Sequence, residues 1–299
     1  MWFKILRLMT TASVASATMA QAGISALFEN PTMDSGYTGV SYADMAPPMV
    51  VSGGPSGNYY QLQPNGVAGL SNTIAFVPSG ANTSSIHAEF DFRMTPDANG
   101  QSTEGFGFAI YDYVNYGGYI PEDFTQLDVN EEAVTWEQPR WNLAFSVGFD
   151  LFDGAFETQK NMITLNADGR RVAANVLGFN INDGLFNRIV LDLENTGDDA
   201  VASLSLIRDV YGAAENISVF ENEAVLGFNI PGSGLAPTDP TGWAVAFGGR
   251  SGGASTAVGI DLDNIRVNAD AVPEPSAAML LILTGGASMV IRRRRTQPV

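Results

Sequence analysis

Apolar and polar side chains alternate without a break from Ser85 to Met94, with every even position apolar and every odd position polar. Successive side chains of a β-strand point to opposite faces of a sheet, so this period of two predicts a strand with one buried and one solvated face. Similar runs occur in eight further segments. They are residues 73–77, 106–113, 142–149, 162–166, 186–194, 201–208, 243–247 and 258–267. The body of the chain is therefore predicted to be all-β.

Turn-forming sequences separate these predicted strands, for example at residues 97–100 and 182–184. Such turns join antiparallel strands, and many antiparallel strands in a chain of 299 residues favour a sandwich or jelly roll. Residues 23–271 show no amphipathic helix pattern, internal repeat or long linker, so they are predicted to form one domain. Residues 23–70 are rich in Gly, Pro and Tyr, and we expect one irregular strand with loops there.

The composition excludes several classes of function. The chain has no cysteine and one histidine, His87, which rules out disulfides, thiol nucleophiles, thiolate metal sites and any site that needs two imidazoles. Its 32 Asp and Glu residues outnumber 15 Lys and Arg residues, for a formal net charge of −17. A surface this acidic repels phosphate backbones, so no nucleic-acid partner is expected.

The features of residues 1–22 follow the order of a secretory signal peptide. Lys4 and Arg7 precede an uncharged stretch that ends in a small-x-small cleavage pattern formed by Ala20 and Ala22. We predict a signal helix that signal peptidase removes by cutting after Ala22. The body is therefore expected to be exported.

The C-terminus carries an uncharged segment, residues 276–291, followed at once by four arginines. As a helix this segment rises about 24 Å, a little short of the roughly 30 Å hydrocarbon core of a bilayer. The arginines hold this end in the cytoplasm, so a transmembrane helix here leaves the body outside. They are Arg292, Arg293, Arg294 and Arg295.

Pro273, Glu274 and Pro275 stand immediately before this segment. A Pro-Glu-Pro, a short apolar helix and a terminal arginine cluster, in that order, resemble the PEP-CTERM sorting signal of exported Gram-negative bacterial proteins. The resemblance covers residues 272–299. It implies that an exosortase cuts near the Pro-Glu-Pro and passes the membrane-anchored precursor from the inner membrane to the cell surface or extracellular matrix. The alternative is an ordinary C-terminal anchor that stays in the membrane.

Motifs in the body follow one another in an order typical of one known fold family. An acidic residue, glycines and aromatics occupy residues 103–110, and a second glycine- and Asp-containing strand occupies residues 146–152. Residues 186–191, 242–248 and 260–265 supply three later strands. Together they resemble the concanavalin A-like lectin and glucanase jelly rolls, particularly the legume-type lectins. The resemblance implies an antiparallel jelly-roll sandwich between the two terminal helices.

The resemblance also implies where a sugar would bind. In legume-type lectins the acidic residue before the glycine of the aromatic strand orients the sugar. Glu104 and Gly105 match this pair, although Glu104 is one methylene longer than the family's Asp. A carbohydrate site that includes both residues is therefore expected.

The metal strand of legume-type lectins reads Glu-x-Asp. Asp150 matches the Asp, Asn161 stands near the family's metal-binding His, and Gly148 stands in place of the Glu. Loss of one anionic ligand weakens a transition-metal site, which leaves Ca²⁺ held by Asp150, Asp153 and Asn161 as the candidate cofactor. The alternative is that Asp150 and Asp153 only cap turns.

The glucanase branch of this fold carries Glu-x-Asp-x-x-Glu on the same strand, so that two carboxylates face one cleft. Here the pattern would begin at Gly148, and the nucleophile is missing. Retaining hydrolysis by this arrangement is excluded, and we predict that the domain is not an enzyme.

Residues 111–119 combine four tyrosines with an acid, an amide and two glycines at the end of a predicted strand. Sugars bind to aromatic faces beside a few directed polar groups, so Tyr113, Asn115 and Tyr116 are expected to contact a glycan. The alternative is that these tyrosines only cover the edge of the sheet.

Other polar residues are expected to be solvated. The acidic run from residue 122 to Glu137 contains no base, and His87 lies on the polar face of its strand. Asp261 and Asp263, beside Asn264, fit a bulged strand whose polar residues face water.

The sequence thus predicts an exported, non-catalytic jelly roll that is processed by signal peptidase and exosortase and associates with extracellular polysaccharide. Two alternatives stay open. One is a purely structural surface or biofilm protein without a specific ligand. The other is a glycoside hydrolase with an unrecognised carboxylate pair, for example one that includes Glu137.

Overall fold

The alternating segments form strands in the computed structural model. The structure describes residues 22–29, 36–41, 46–76, 83–96, 104–113, 135–151, 161–230, 242–251 and 258–271. This part of the chain contains fifteen strands and no helix. The strands are β1 (Ala22–Ala26), β2 (Tyr37–Ser41), β3 (Met49–Gly54), β4 (Gly57–Gln63), β5 (Ser71–Phe76), β6 (Thr83–Thr95), β7 (Gly105–Asp112), β8 (Ala144–Asp150), β9 (Met162–Ala167), β10 (Arg170–Val176), β11 (Phe186–Asn195), β12 (Ala200–Arg208), β13 (Glu215–Val225), β14 (Trp243–Arg250) and β15 (Gly259–Ala271).

The strands form two antiparallel sheets. The eight-stranded sheet has the order β13-β12-β11-β6-β15-β4-β3, with β1 paired to β15. The seven-stranded sheet has the order β10-β9-β8-β7-β14-β5-β2. Strands distant in sequence are neighbours in both sheets, which is typical of a jelly roll. The predicted all-β sandwich is therefore confirmed.

The main core lies between the two sheets. Phe90 and Phe92 of β6 lie 5.3 Å and 5.1 Å, between ring centroids, from Phe108 and Phe106 of β7. Phe106 in turn stacks on Phe149 of β8 at 4.3 Å. All five rings are completely buried. Burial of one such side chain contributes about 1.5–3 kcal/mol, so these rings hold the two sheets together.

All nine predicted strands are present, but residues 23–70 differ from the prediction. They contain four strands, β1 to β4, rather than one irregular strand with loops. The side chains of β3 are mostly exposed on both faces, because this strand lies at the edge of its sheet. A strand of this kind has no buried face to impose alternation on its sequence, so the prediction was wrong there.

The two termini lie outside the described residues. This applies to residues 1–21 of the predicted signal peptide and to the whole PEP-CTERM tail, residues 272–299. Ala22, the last residue of the predicted cleavage pattern, is the first residue of β1 and pairs with Ala269. Among the residues that the structure does describe, no helix has the length and hydrophobicity to cross a membrane. The predicted transmembrane helix at residues 276–291 stays a prediction.

Candidate functional site

The face of the seven-stranded sheet that points away from the core is lined by small residues. In β7, Phe106 and Phe108 point into the core, so Gly105 and Gly107 lie on the opposite, outer face. Strands β8 and β14 flank β7 and add small residues at the matching positions. These are Ala144, Ser146, Gly148, Ala244, Ala246 and Gly248. Because most side chains on the outer face are small, it can accept a segment of chain directly on its strands.

Residues 135–141 lie on this outer face, and we call them the Trp136 cover. Trp136 is 1% exposed, and a Cβ built on Gly248 would lie 1.8 Å from its Cε2 atom. A Cβ on Gly107 would lie 2.2 Å from the Trp136 carbonyl oxygen. Trp141 packs edge-on against Trp136, with ring centroids 4.5 Å apart. The Trp136 cover therefore lies so close to the sheet that positions 107 and 248 must be glycine.

Gly148 stands at the position where the sequence motif predicts a metal-binding Glu. The close approach of the Trp136 cover also requires a glycine at this position. A Cβ at this position would lie 2.2 Å from the carbonyl oxygen of Glu137 and 2.7 Å from Oγ1 of Thr164. The nearby hydroxyl of Ser146 donates a hydrogen bond to the carbonyl of Pro139 in the cover. The chain thus fills with its own backbone the space where a longer side chain would project.

The cover brings Glu137 to Glu104, the residue expected to orient a sugar. Arg250, at the end of β14, joins the two: its Nη1 atom lies 3.0 Å from Glu137 Oε1 and 3.4 Å from Glu104 Oε2. Glu104 and Glu137 are 8% and 6% exposed. Two buried carboxyl groups therefore share one guanidinium at this end of the sheet.

The pKa of Glu137 is raised to about 8, because burial and, to a lesser extent, the charge of Glu104 outweigh the opposing effect of Arg250. No donor among the described residues reaches Glu137 Oε2, whereas its side chain is close enough to Glu104 for a hydrogen bond. A proton on Glu137 supplies the donor that this contact needs. At neutral pH Glu137 is therefore held mainly as the carboxylic acid.

Asp150, the predicted metal ligand, lies next to this pair. Its carboxylate is 1% exposed and accepts a 2.6 Å hydrogen bond from Nε2 of Gln138, which in turn accepts one from Arg171. Asp150 pairs with Gly105 across β7 and β8, and the amide of Leu151 donates to the carbonyl of Glu104. The structure therefore brings together Glu104, Gly105 and Asp150, as the sequence motifs suggest.

Asn161, the second predicted metal ligand, has its contacts elsewhere. Its Nδ2 donates to Oδ1 of Asn180, and its Oδ1 accepts from the amide of Ile181. Asp153 lies outside the described residues. Within the described part of the chain, no three His, Asp or Glu side chains are arranged to hold a metal ion. A Ca²⁺ site that includes Asp153 stays a prediction.

Tyr113, the first residue of the predicted glycan loop, follows β7 directly. Its amide donates to the carbonyl of Gly242, and its half-buried ring packs against the apolar cluster that contains Trp136 and Trp141. Asn115 and Tyr116 lie outside the described residues. Tyr113 therefore lies at the edge of the covered face, which we call the Tyr113 rim, and the predicted glycan loop begins there.

Two expectations about solvated residues were wrong. Glu137 is buried with Glu104, although it closes an acidic run. Asp261 and Asp263 are 4% and 1% exposed, because neighbouring side chains cover them on the outer face of the eight-stranded sheet. The bulge expected beside Asn264 is present. His87 lies on the polar face as expected and pairs with an exposed carboxylate.

Asp91 is the centre of a polar network on the outer face of the eight-stranded sheet. Its completely buried carboxylate accepts two hydrogen bonds from Arg188, at 2.5 and 3.0 Å. Tyr211 Oη and Asn264 Nδ2 donate to Asp91 Oδ2 at 2.8 and 2.9 Å. Burial raises the pKa of Tyr211 to about 12, so its phenol keeps the proton that it donates. This face therefore carries a connected network of polar side chains, although the sequence motifs did not point to it.

The side chains that complete the covered site were also missed. Arg250, Gln138 and Arg171 come from three separate segments, and none belongs to a recognisable motif. The glycines at 148 and 248 were the available signal, since a strand glycine often marks a close approach of other backbone.

The structure is similar to those of legume lectins. Lectin I-B4 of Griffonia simplicifolia, in its metal-free form, matches with a TM-score of 0.52 at 12% identity, over 82% of this chain and 98% of that lectin. Arcelin-5, a lectin-like defence protein of Phaseolus vulgaris, matches with a TM-score of 0.51 at 14% identity, over 86% of this chain and 100% of arcelin-5.

The basic lectin of winged bean, with Tn-antigen, matches with a TM-score of 0.51 at 12% identity, over 86% of this chain and all of that lectin. No protein-family model matches the sequence, and no curated protein is similar to it. The predicted concanavalin A-like sandwich is therefore confirmed as the fold of the body.

Proposed function

We propose that this chain is an exported protein whose lectin-like sandwich binds polysaccharide outside the cell without changing it chemically. The observation that carries the proposal is the fold, which matches legume-type lectins over more than four-fifths of the chain. The acidic surface, with a net charge of −17, favours neutral polymers over polyanions.

The glycan contacts in this proposal lie at the rim of the covered face. The Trp136 cover fills the outer face itself, so a polymer meets the protein where β7 ends. Tyr113, Asn115 and Tyr116 supply the aromatic faces and the directed amide there. Glu104 and Gly105 are buried at the opposite end of β7, about 23 Å along the strand, so a sugar at Tyr113 does not contact them.

The absence of catalysis is supported by Gly148, where no carboxylate can project because the cover occupies the space. One observation favours the alternative of a glycoside hydrolase. Glu137 has a pKa of about 8 and lies beside the carboxylate of Glu104, as a general acid and its partner would. Both groups are buried under Arg250, however, which argues against access by a polymer.

The maturation that we propose uses both terminal signals. Signal peptidase cuts after Ala22, and the helix at residues 276–291 anchors the precursor in the inner membrane. An exosortase then cuts near Pro273–Pro275 and delivers the body to the cell surface or matrix. In a Gram-negative host, deletion of the exosortase should leave the full-length precursor in the membrane fraction. Equal release with and without the enzyme would contradict this step.

Retention on polysaccharides tests the binding proposal directly. The full chain, in mild detergent, should be retained on at least one neutral glycan of an array, and the test is run with Ca²⁺ and with a chelator. Tyr113→Ala and Tyr116→Ala should weaken retention, whereas Leu226→Ala, an exposed apolar position, serves as the control. No retention in either condition would favour the purely structural protein. Release of reducing sugar would favour the hydrolase.

A further inference from the structure

A polar cavity of about 280 Å³ opens on the outer face of the eight-stranded sheet, on the opposite side of the sandwich from the Trp136 cover. Its walls come from three adjacent strands. Gln61 of β4, Asp261 of β15 and Arg93 of β6 lie side by side across the sheet, in register. The rest of the lining consists of Gln63, Asn65, Thr95, Gly184 and Gly259.

The arginine in this cavity is held rigidly. Nε and Nη2 of Arg93 both lie 2.8 Å from Oδ2 of Asp261. The guanidinium also lies over two aromatic rings, 5.0 Å from the centroid of Tyr59 and 4.7 Å from that of Phe186. A side chain fixed in this way loses little conformational entropy when a ligand binds, so the cavity is preorganised.

Asp261 has an acceptor that the protein leaves without a donor. The residue is 4% exposed, and Arg93 uses only its Oδ2 atom. Oδ1 has no hydrogen-bond partner within the described part of the chain. The side chain of Gln61 lies close enough to the carboxylate to lower the pKa of Asp261 by hydrogen bonding, but no donor in the described residues is well aligned with Oδ1. An unpaired buried acceptor is costly, so a hydroxyl donor that enters the cavity gains a favourable contact there.

The chemistry of the lining selects among classes of ligand. Arg93 and Asp261 neutralise each other, so the cavity offers neither a free cation for a phosphate or carboxylate nor a free anion for a metal ion. The amides of Gln61 and Asn65 and the hydroxyl of Thr95 add directed donors and acceptors, which disfavour an apolar ligand. A ring with several neighbouring hydroxyls satisfies these groups. The volume lies at the lower end for small-molecule sites, and fits one small ring.

We propose that this cavity is a second carbohydrate subsite, which binds one neutral pyranose unit through a hydroxyl donated to Asp261 and further contacts to Gln61, Asn65 and Thr95. The proposal rests on the proposed function, from which it takes carbohydrate as the class of ligand. It is independent of the Tyr113 rim, which lies on the other sheet. Two subsites on opposite faces would let one molecule bridge two polysaccharide strands.

Saturation-transfer NMR with the methyl glycosides of glucose, galactose and mannose, and with glucuronate, tests the proposal on the full chain. At least one neutral glycoside should bind, and Asp261→Asn should weaken it about tenfold, since one charged acceptor is lost. Asp192→Asn is the matched control: its carboxylate also pairs with a side chain on this face, His87, but it is exposed and does not line the cavity.

Thr95→Val keeps the shape of the lining and provides a second variant if Asp261→Asn does not fold. The proposal is overturned if no glycoside binds, if Asp261→Asn or Thr95→Val binds as tightly as the unmodified chain, or if glucuronate binds more tightly than every neutral sugar. Polysaccharide retention that is lost in Tyr113→Ala but unchanged in Asp261→Asn would refute this subsite and leave the proposed function standing. Glycoside binding without any polysaccharide retention would support this subsite and contradict the proposed function.

Discussion

The backbone of Gly248 lies directly against the indole ring of Trp136, so close that a Cβ atom at position 248 would come within 1.8 Å of Trp136 Cε2. This contact decides what the outer face of the seven-stranded sheet can do. In a lectin-like sandwich, that face carries the strands of the predicted sugar and metal motifs. In this protein the Trp136 cover occupies that face. The polar residues beneath the cover bind other residues of the protein.

Gly248→Ala is expected to lower the free energy of unfolding by about 2 kcal/mol or more, because a methyl group must displace a rigid, buried ring. The midpoint of urea unfolding measures this effect. Gly178→Ala is the matched control, since a Cβ there meets nothing within 4 Å and the backbone angle is ordinary. Equal midpoints for the two variants would mean that the cover does not hold to the sheet as described.

Gly148→Glu introduces the residue type expected here from the resemblance to legume-type lectins, but it should not create a metal or hydrolytic site. Its Cβ would lie 2.2 Å from the carbonyl of Glu137, so the expected result is loss of folded protein. Circular dichroism and Ca²⁺ titration check this. Gly178→Glu introduces the same charge at an open position and should leave folding intact. A folded Gly148→Glu variant that binds Ca²⁺ would show that the cover can move aside.

The buried acid Glu137 should make stability depend on pH. Its pKa is about 8 in the folded protein and 4.5 ordinarily, so between these values the folded state binds more protons than the unfolded state. Stability is therefore full below about pH 4.5 and falls as the pH rises towards 8, by at most about 1.4 kcal/mol per pH unit from this group. Urea unfolding at pH 5, 6, 7 and 8 measures the slope.

Glu137→Gln keeps a neutral, hydrogen-bonding side chain of the same size, so it should flatten this slope while leaving stability at pH 5 nearly unchanged. Glu194→Gln, an exposed carboxyl on β11, should keep the slope of the unmodified protein. A slope that survives in Glu137→Gln would assign the pH dependence to another group, such as Asp263, whose pKa burial raises to about 6.

The sequence predicted every inner strand of both sheets except β4, and it missed the four edge strands β2, β3, β10 and β13. Strands such as β6 and β11 have one buried and one solvated face, so their sequences must alternate. Strands β3, β10 and β13 lie at the edges, with exposed residues on both faces, and their sequences carry no such constraint. The sequence pattern therefore identified strands with at least one buried face, including β7 and β8, which are buried on both faces.

The candidate site was predictable only in part, for a related reason. Glu104 and Asp150 were found because each lies within a strand motif, and adjacent strands bring them together. Glu137 and Arg250 reach the same place from segments far away in the sequence. Local patterns contain no information on which distant segment covers a sheet. The glycines at positions 148 and 248 indicated only that another segment of the chain packs closely against these strands.

The network around Asp91 gives the last prediction, which concerns the other sheet. Asp91→Ala removes a completely buried carboxylate and leaves Arg188 with Glu89 as its remaining ionic partner, 2.7 Å from Nη1. Loss of one partner from a buried ion pair costs about 3–5 kcal/mol, and urea unfolding should show a decrease near the lower end of that range, because Glu89 remains. Asp192→Ala breaks an exposed pair with His87 and should cost only about 0–1 kcal/mol. If both variants lost the same small amount, the network around Asp91 would not contribute to stability as described.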